Sequence, residues 1–190
     1  MIQLQKFTNL VNLLTYFKDE QICRKYLEAI RWGGNLKCAY KDCDSEKVFK
    51  FANGKVYKCA KCRRQYSVKV GTIFHDSKIP LQKWYAAIYL ITAHKKGISS
   101  LQLHRDLGVT QKTAWYMLHR VRATLGINMS DKHLQYYIDE FVFRYNTRDL
   151  SGAVRFNTML SNISTQLTYN QLINARTNRK LEAKQGAFKF

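Results

Sequence analysis

Four of the five cysteines, Cys38, Cys43, Cys59 and Cys62, stand in the spacing C-x4-C-x15-C-x2-C. Two close pairs of thiolates are what a tetrahedral zinc ion takes, and a hairpin between the pairs closes the shell without a large core. Val48-Phe49-Lys50-Phe51 and Lys55-Val56-Tyr57-Lys58 flank Ala52-Asn53-Gly54, so the segment between the pairs reads as that hairpin. Lys37, Lys41, Lys58, Lys61, Arg63 and Arg64 crowd the cysteines. Positive charge there lowers thiol pKa and helps hold metal-bound thiolates. Four protein ligands leave no open coordination position, and neither an H-E-x-x-H nor a deaminase pattern is present, so the expected ion, one Zn2+, is structural. Cys23 lies on an apolar helical stripe and reads as a core residue, and His75 as a surface or packing residue.

A second constellation lies downstream. Ser100 to Leu118 fits the pattern of a helix-turn-helix. Gly108 supplies the turn, Thr110 caps the second helix, and Leu103, Leu107, Val109, Ala114 and Met117 fill the core. Gln111, Lys112, Thr113 and Tyr116 then face outward near the start of that helix, where base edges are read. Lys95, Lys96, Arg105, Arg120 and Arg122 are placed to reach phosphates, as are Arg63 and Arg64 on the ribbon. His104 is bulky where a small residue usually lets the helices approach. An ordinary helical hairpin shares this pattern, and the charge and the adjacent ribbon favour the DNA reading.

The elements that must position these residues follow from periodicity. Helices are expected over 7–17, from Asp19 to Trp32-Gly33-Gly34, after Pro80 to Gly97, over 99–106 and 110–125, and over 131–146, where Leu134, Ile138, Phe141, Val142 and Tyr145 share a face. Residues 65–70 read as a third strand, 153–173 as weakly helical, and the tail from Arg176 as loose. The fold class is mainly α with a small β zinc ribbon. The divisions are an N-terminal helical segment (1–34), the ribbon (35–76), a helix-turn-helix domain (77–127), a C-terminal helical segment (128–175) and a flexible basic tail (176–190).

The 190 residues hold 32 Lys plus Arg against 13 Asp plus Glu, a net +19. That excess repels itself in a compact chain and implies a polyanionic partner. The basic residues are spread over the whole chain rather than along one amphipathic helix, which favours nucleic acid over a membrane surface. Met1 to Phe17 has no secretory pattern, and the longest apolar run, Trp84 to Ala93, is too short to span a bilayer. A cytoplasmic, nucleoid-associated protein is expected.

Several stretches carry a resemblance. Glu20 to Leu27 with Arg31-Trp32, Gln65-Tyr66-Ser67, Gly71 to Phe74, Ser77 to Trp84, Lys96 to Ser99, Thr113-Ala114-Trp115 and His119 to Arg122 resemble the zinc-ribbon insertion-sequence transposases, over residues 1 to about 126. Lys132 to Tyr137 and Phe143 to Arg148 are similar to the extreme C-terminal helix of that family. Between these parts the family carries a ribonuclease-H-like domain whose Asp-Asp-Glu triad binds two divalent metals. Here only Ile127 to Asp131 separates them, so the resemblance implies a transposase lacking its catalytic middle. No catalytic residues are carried over. Asp139 and Glu140 point about 100° apart on a helix and read as solvated, salt-bridging carboxylates. The resemblance implies binding to double-stranded element-end DNA, the terminal inverted repeats, without cleavage, with full-length transposase or a second copy as a further partner. The alternatives are an active transposase and a ribbon-type adaptor that binds RNA or protein.

Overall fold

The structure, a computed structural model, describes residues 7–94, 97–124 and 133–164. Two short helices open it. Asn9 caps α1 (Leu10–Tyr16) by accepting from the Asn12 amide at 2.8 Å. Phe7 precedes the helix yet is buried among Tyr16, Phe17 and Phe156. Helix α2 (Glu20–Trp32) buries Cys23, Tyr26 and Leu27 and stops at Gly33, whose φ of 59° is left-handed. Cys23 is the expected core residue, and burial pushes its thiol up to about 12.

The ribbon sheet is β1 (Val48–Lys50), β2 (Tyr57–Cys59) and β3 (Gln65–Tyr66), antiparallel in that order. Val48 faces Cys59 and Lys50 faces Tyr57, while Tyr57 also faces Tyr66. The third strand is two residues, not the six expected over 65–70. Tyr57 is the last extended residue that β2 offers before its own hairpin turn, so β3 has no partner beyond Tyr66. The chain then folds into successive turns, with the amide of Val70 on Ser67 O and that of Thr72 on Lys69 O.

Helix α3 (Leu81–Ala93) is the centre of the molecule. Ten of its residues, Leu81 and Trp84 to Thr92, are buried, and it packs against α1, α2, the α4 and α5 pair, and α7. The run that is too short for a bilayer is therefore a core helix. Polar groups on it are satisfied across elements: Leu81 N donates to Glu20 Oε2 at 2.9 Å, Trp84 Nε1 to Ser77 Oγ at 2.9 Å and Tyr85 Oη to Cys23 O at 2.8 Å. Glu20 thereby places a carboxylate at the positive end of α3.

Helices α4 (Ser100–Leu107) and α5 (Gln111–Arg122) pack on each other across Gly108. Helix α6 (His133–Asn146) follows, then α7 (Gly152–Ser161), shorter than the weak helix expected over 153–173. Residues 165–173 and the tail 176–190 lie outside the described residues. One hydrophobic core runs from Phe7 to Ile163 and takes in Cys43 and Cys59 of the ribbon.

The apolar stripe of α6 does not face that core. Ile138, Phe141, Val142 and Tyr145 are exposed, Phe141 at 61%, whereas Glu140 is 2% exposed. The helix is held by its acid: Glu140 pairs with Arg122 of α5 at 2.5 Å and with Arg144 one turn on. The solvated role expected of Glu140 is thus corrected. It bridges two guanidiniums inside the protein, because an acid this deep is tolerated only with full pairing.

The turn between α4 and α5 gives a direct test. Gly108 has φ 58°, and a Cβ added there meets nothing within 4 Å. Gly108→Ala should therefore cost only the left-handed conformation, about 1 kcal/mol in chemical denaturation. Gly108→Asn should cost less, because asparagine tolerates that region. Equal stability of all three would contradict the turn as described.

Candidate metal centre and nucleic-acid interface

The two cysteine pairs meet at one end of the ribbon, opposite the hairpin turn. Cys38 and Cys43 lie on the loop before β1, shaped by Cys38 N donating to Ser45 O at 3.0 Å and Cys43 N to Tyr40 O at 3.1 Å. Cys59 ends β2, and Cys62 lies in the tight turn into β3, closed by Cys59 N donating to Arg64 O at 3.1 Å. Arg63 takes the left-handed position in that turn, φ 58°. The four sulfurs lie within 4.8 Å of one another, with Cys38 to Cys62 at 3.8 Å and Cys43 to Cys59 at 3.7 Å. A tetrahedron with Zn–S bonds of about 2.3 Å has edges of about 3.8 Å. The donor set and its spacing fit one structural zinc ion.

The protein also prepares the thiolates. Backbone N–H donors, that of Cys62 first, bring Cys59 down to about 6, and the Arg64 N–H lowers Cys62. Burial raises Cys38 to about 12. A cation shared by all four sulfurs overcomes that last cost, since the bound form is the thiolate. Tyr57 and Tyr66 stack beside the site at 5.7 Å, and Tyr66 Oη donates to Lys37 O at 3.0 Å.

Arg64 belongs to this shell. Its guanidinium bonds the Cys62 sulfur, reaches Asp42 at 2.6 Å and lies 4.0 Å over the Tyr40 ring. Arg63 beside it is exposed.

The two helices and the Gly108 turn assemble as the spacing predicts. Ser99 caps α4 by accepting from Gln102 N at 3.1 Å, and Thr110 caps α5 by accepting from Thr113 N at 3.2 Å. Leu103, Ala114 and Met117 are fully buried, with Leu107 and Val109 packed against the core. His104, the misfit of the pattern, has a task here: its Nδ1 donates to Val109 O across the turn. Lys83 Nζ donates to Gly108 O at 3.2 Å, so α3 also holds the turn. Gln111 and Lys112 are exposed at the start of α5, while Thr113 and Tyr116 are half-buried. Gln111 Nε2 donates to Ser100 Oγ at 3.2 Å, which ties the two helix starts together.

Two arginines expected at phosphates lie inside instead. Arg120 is 3% exposed, and its Nη1 donates to Ile73 O at 2.6 Å and His75 O at 2.9 Å. It pins α5 to the chain leaving the ribbon, and Tyr116 packs on its guanidinium at 4.5 Å. Arg122 is 4% exposed and paired with Glu140. Their i and i+2 placement near the end of an amphipathic helix gave no sign of this, because both partners are remote in the chain. The Glu140–Arg144 pair, by contrast, has helical i,i+4 spacing legible in the sequence. Lys95 and Lys96 lie outside the described residues. No described helix is long and apolar enough to cross a membrane.

Comparison with known proteins agrees with this geometry. Residues 18–65 match the transposase zinc-ribbon domain of the IS1595 type. The chain is 29% identical over 142 residues to an uncharacterized protein in transposable element ISH50 of Halobacterium salinarum, a match covering 73% of this chain and 46% of that protein. It spans about half the length of that relative. No solved structure matches.

Two outcomes are expected from this geometry. Metal analysis of purified protein should give about one zinc per chain, and Cys59→Ser should lose the ion and unfold the ribbon, since binding energy here is folding energy. A metal-free chain with an unchanged near-ultraviolet spectrum would contradict that assignment. Arg120→Met should destabilise by on the order of 2 kcal/mol, because it strips the donors from Ile73 O and His75 O. Loss of affinity for polyanions with unchanged stability would instead return Arg120 to the surface.

Proposed function

Starting from a chain that is a zinc-ribbon, insertion-sequence transposase-like protein, we propose that it binds the duplex ends of its parent element and does not cut them. The observation that carries this reading is the α4–Gly108–α5 unit, which leaves Gln111 and Lys112 exposed at the start of α5 on a chain of net charge +19. A helix start of that kind enters the major groove, where glutamine pairs with adenine and lysine donates to guanine. Thr113 and Tyr116 lie on the same end and flank the bases read. Arg63 on the ribbon turn, with Lys95 and Lys96 before α4, contacts backbone phosphates. In this reading the ribbon (35–76) and the helix-turn-helix (77–127) act together on one site, and full-length transposase or a second copy occupies the other element end.

Absence of cleavage rests on two supports. Only Ile127 to Asp131 stands between the two family-like segments, too little for a domain of roughly 100 residues. Glu140 has both carboxylate oxygens engaged by arginines, whose positive charges disfavour a divalent metal beside it.

Selection from a random duplex pool tests the reading. The protein should enrich element-end sequences, and Gln111→Ala or Lys112→Ala should relax preference at one or two base pairs, each contact accounting for roughly 1–3 kcal/mol of discrimination. Arg63→Ala should weaken binding to all sequences alike and flatten the salt dependence by about one unit of slope. No strand cleavage should occur with Mg2+ or Mn2+. Enrichment unchanged by Gln111→Ala would remove the recognition-helix assignment. Preference for RNA over duplex DNA would remove the function itself.

A further inference from the structure

Beside the base-reading end of α5 lies a cleft of about 400 Å3 between the start of α4, the body of α5 and one side of α6. Ser99, Ser100, Trp115, Arg122, Glu140 and Arg144 line it. Its charge balance is uneven. Two guanidiniums share one carboxylate: Glu140 Oε2 accepts from Arg122 Nε at 2.5 Å, and Oε1 accepts from Arg144 Nη1. The acid is saturated and one positive charge is left over. Donors are left over as well. Among the described residues, Arg122 Nη1 and Arg144 Nε are buried without a hydrogen-bond partner. A buried guanidinium donor without an acceptor is costly unless an anion arrives to take it.

The backbone adds to this. Helix α4 begins at the cleft, so the amides of its first turn and the positive end of its dipole point there. Gly97 supplies the close approach: a Cβ at that position, with φ 79°, would stand 2.9 Å from Arg144 Nη1 and 3.3 Å from Glu140 Oε1. The Tyr137 ring, half exposed, covers the Arg122 guanidinium at 4.1 Å.

We propose that this cleft is a binding site for a phosphate group, and that in the DNA complex it holds a backbone phosphate beside the base pairs that α5 reads. The second half rests on the DNA-binding reading above; the first half does not. Ser100 on the rim bonds Gln111 at 3.2 Å, so a phosphate seated here lies next to the residue assigned to base reading. Helix α6, which carries Arg144, Glu140 and Tyr137, thereby becomes part of the DNA interface rather than an appendage.

The test is a titration of the zinc-loaded full chain with inorganic phosphate, followed by nitrogen–proton NMR of the arginine Nε–Hε groups and the backbone amides. Saturable shifts are expected at Arg122, Arg144, Ser100 and Leu101, and not at exposed Arg63 or Arg105. Arg144→Gln should weaken phosphate binding at least about tenfold. Tyr137→Ala removes the half-exposed ring that covers the Arg122 guanidinium, keeps both arginines and should tighten it several-fold, which keeps the test alive if the first variant fails to fold. Absence of saturation, or equal shifts at all arginines, overturns the site. An element-end duplex added at saturation should displace the phosphate. Phosphate that stays bound alongside the duplex overturns the DNA half and leaves a site for free phosphate. If no duplex binds at all, the function proposed above fails, while the phosphate titration still decides the cleft by itself.

Discussion

Helix α3 has almost no solvent-facing side, and every other part of the molecule is arranged around that fact. A helix buried over ten residues needs neighbours on all sides, and α1, α2, the α4 and α5 pair, and α7 supply them. Tyr85, fully buried, stacks edge-on against Phe17, Phe74 and Phe156, so rings from four distant stretches of chain meet at one residue. Each such pair adds roughly 0.5–1.5 kcal/mol beyond the area it buries. The zinc ribbon, too small to hold a core of its own, shares this one through Tyr57, Tyr66 and Cys59.

The ribbon is joined to that body by arginines turned inward. Arg31 of α2 donates from Nη1 to Val68 O at 2.8 Å, and Arg120 of α5 donates to Ile73 O and His75 O. The eight-residue stretch between Val68 and His75, which has no partner strand, is thus held from two helices by side-chain donors. Arginine suits the task because its planar fork reaches several carbonyls at once and remains charged when buried. Burial lowers the pKa of both residues from the ordinary arginine value. A chain of net +19 therefore spends part of its positive charge on its own backbone, and its surface field comes from the remainder.

This arrangement also links the metal site to the start of α5 through a chain of contacts. The C-x2-C turn leads into β3, β3 into the turns of 67–75, and those turns are fastened to α5 by Arg120. The start of α5 is fastened to the start of α4 by Gln111 and Ser100, and the bend between them to α3 by Lys83 and to itself by His104. Loosening the zinc site would loosen the position of α5.

The sequence by itself determined the features that depend on spacing along the chain. The four cysteine ligands, the hairpin between them, the turn at Gly108, the cap at Thr110 and the buried Cys23 all follow from neighbours within a few residues, where backbone geometry leaves little choice. What only the tertiary structure decided was the fate of charged and apolar side chains whose partners are far away. Arg120 and Arg122 read as surface cations because their own helix gives no sign of Ile73 O, His75 O or Glu140. Glu140 read as solvated because its burial depends on α5. The apolar stripe of α6 was legible as a stripe, but which side of that helix turns inward was not. The inward side carries Glu140, whose partner Arg122 stands on α5, and nothing within α6 marks that pairing.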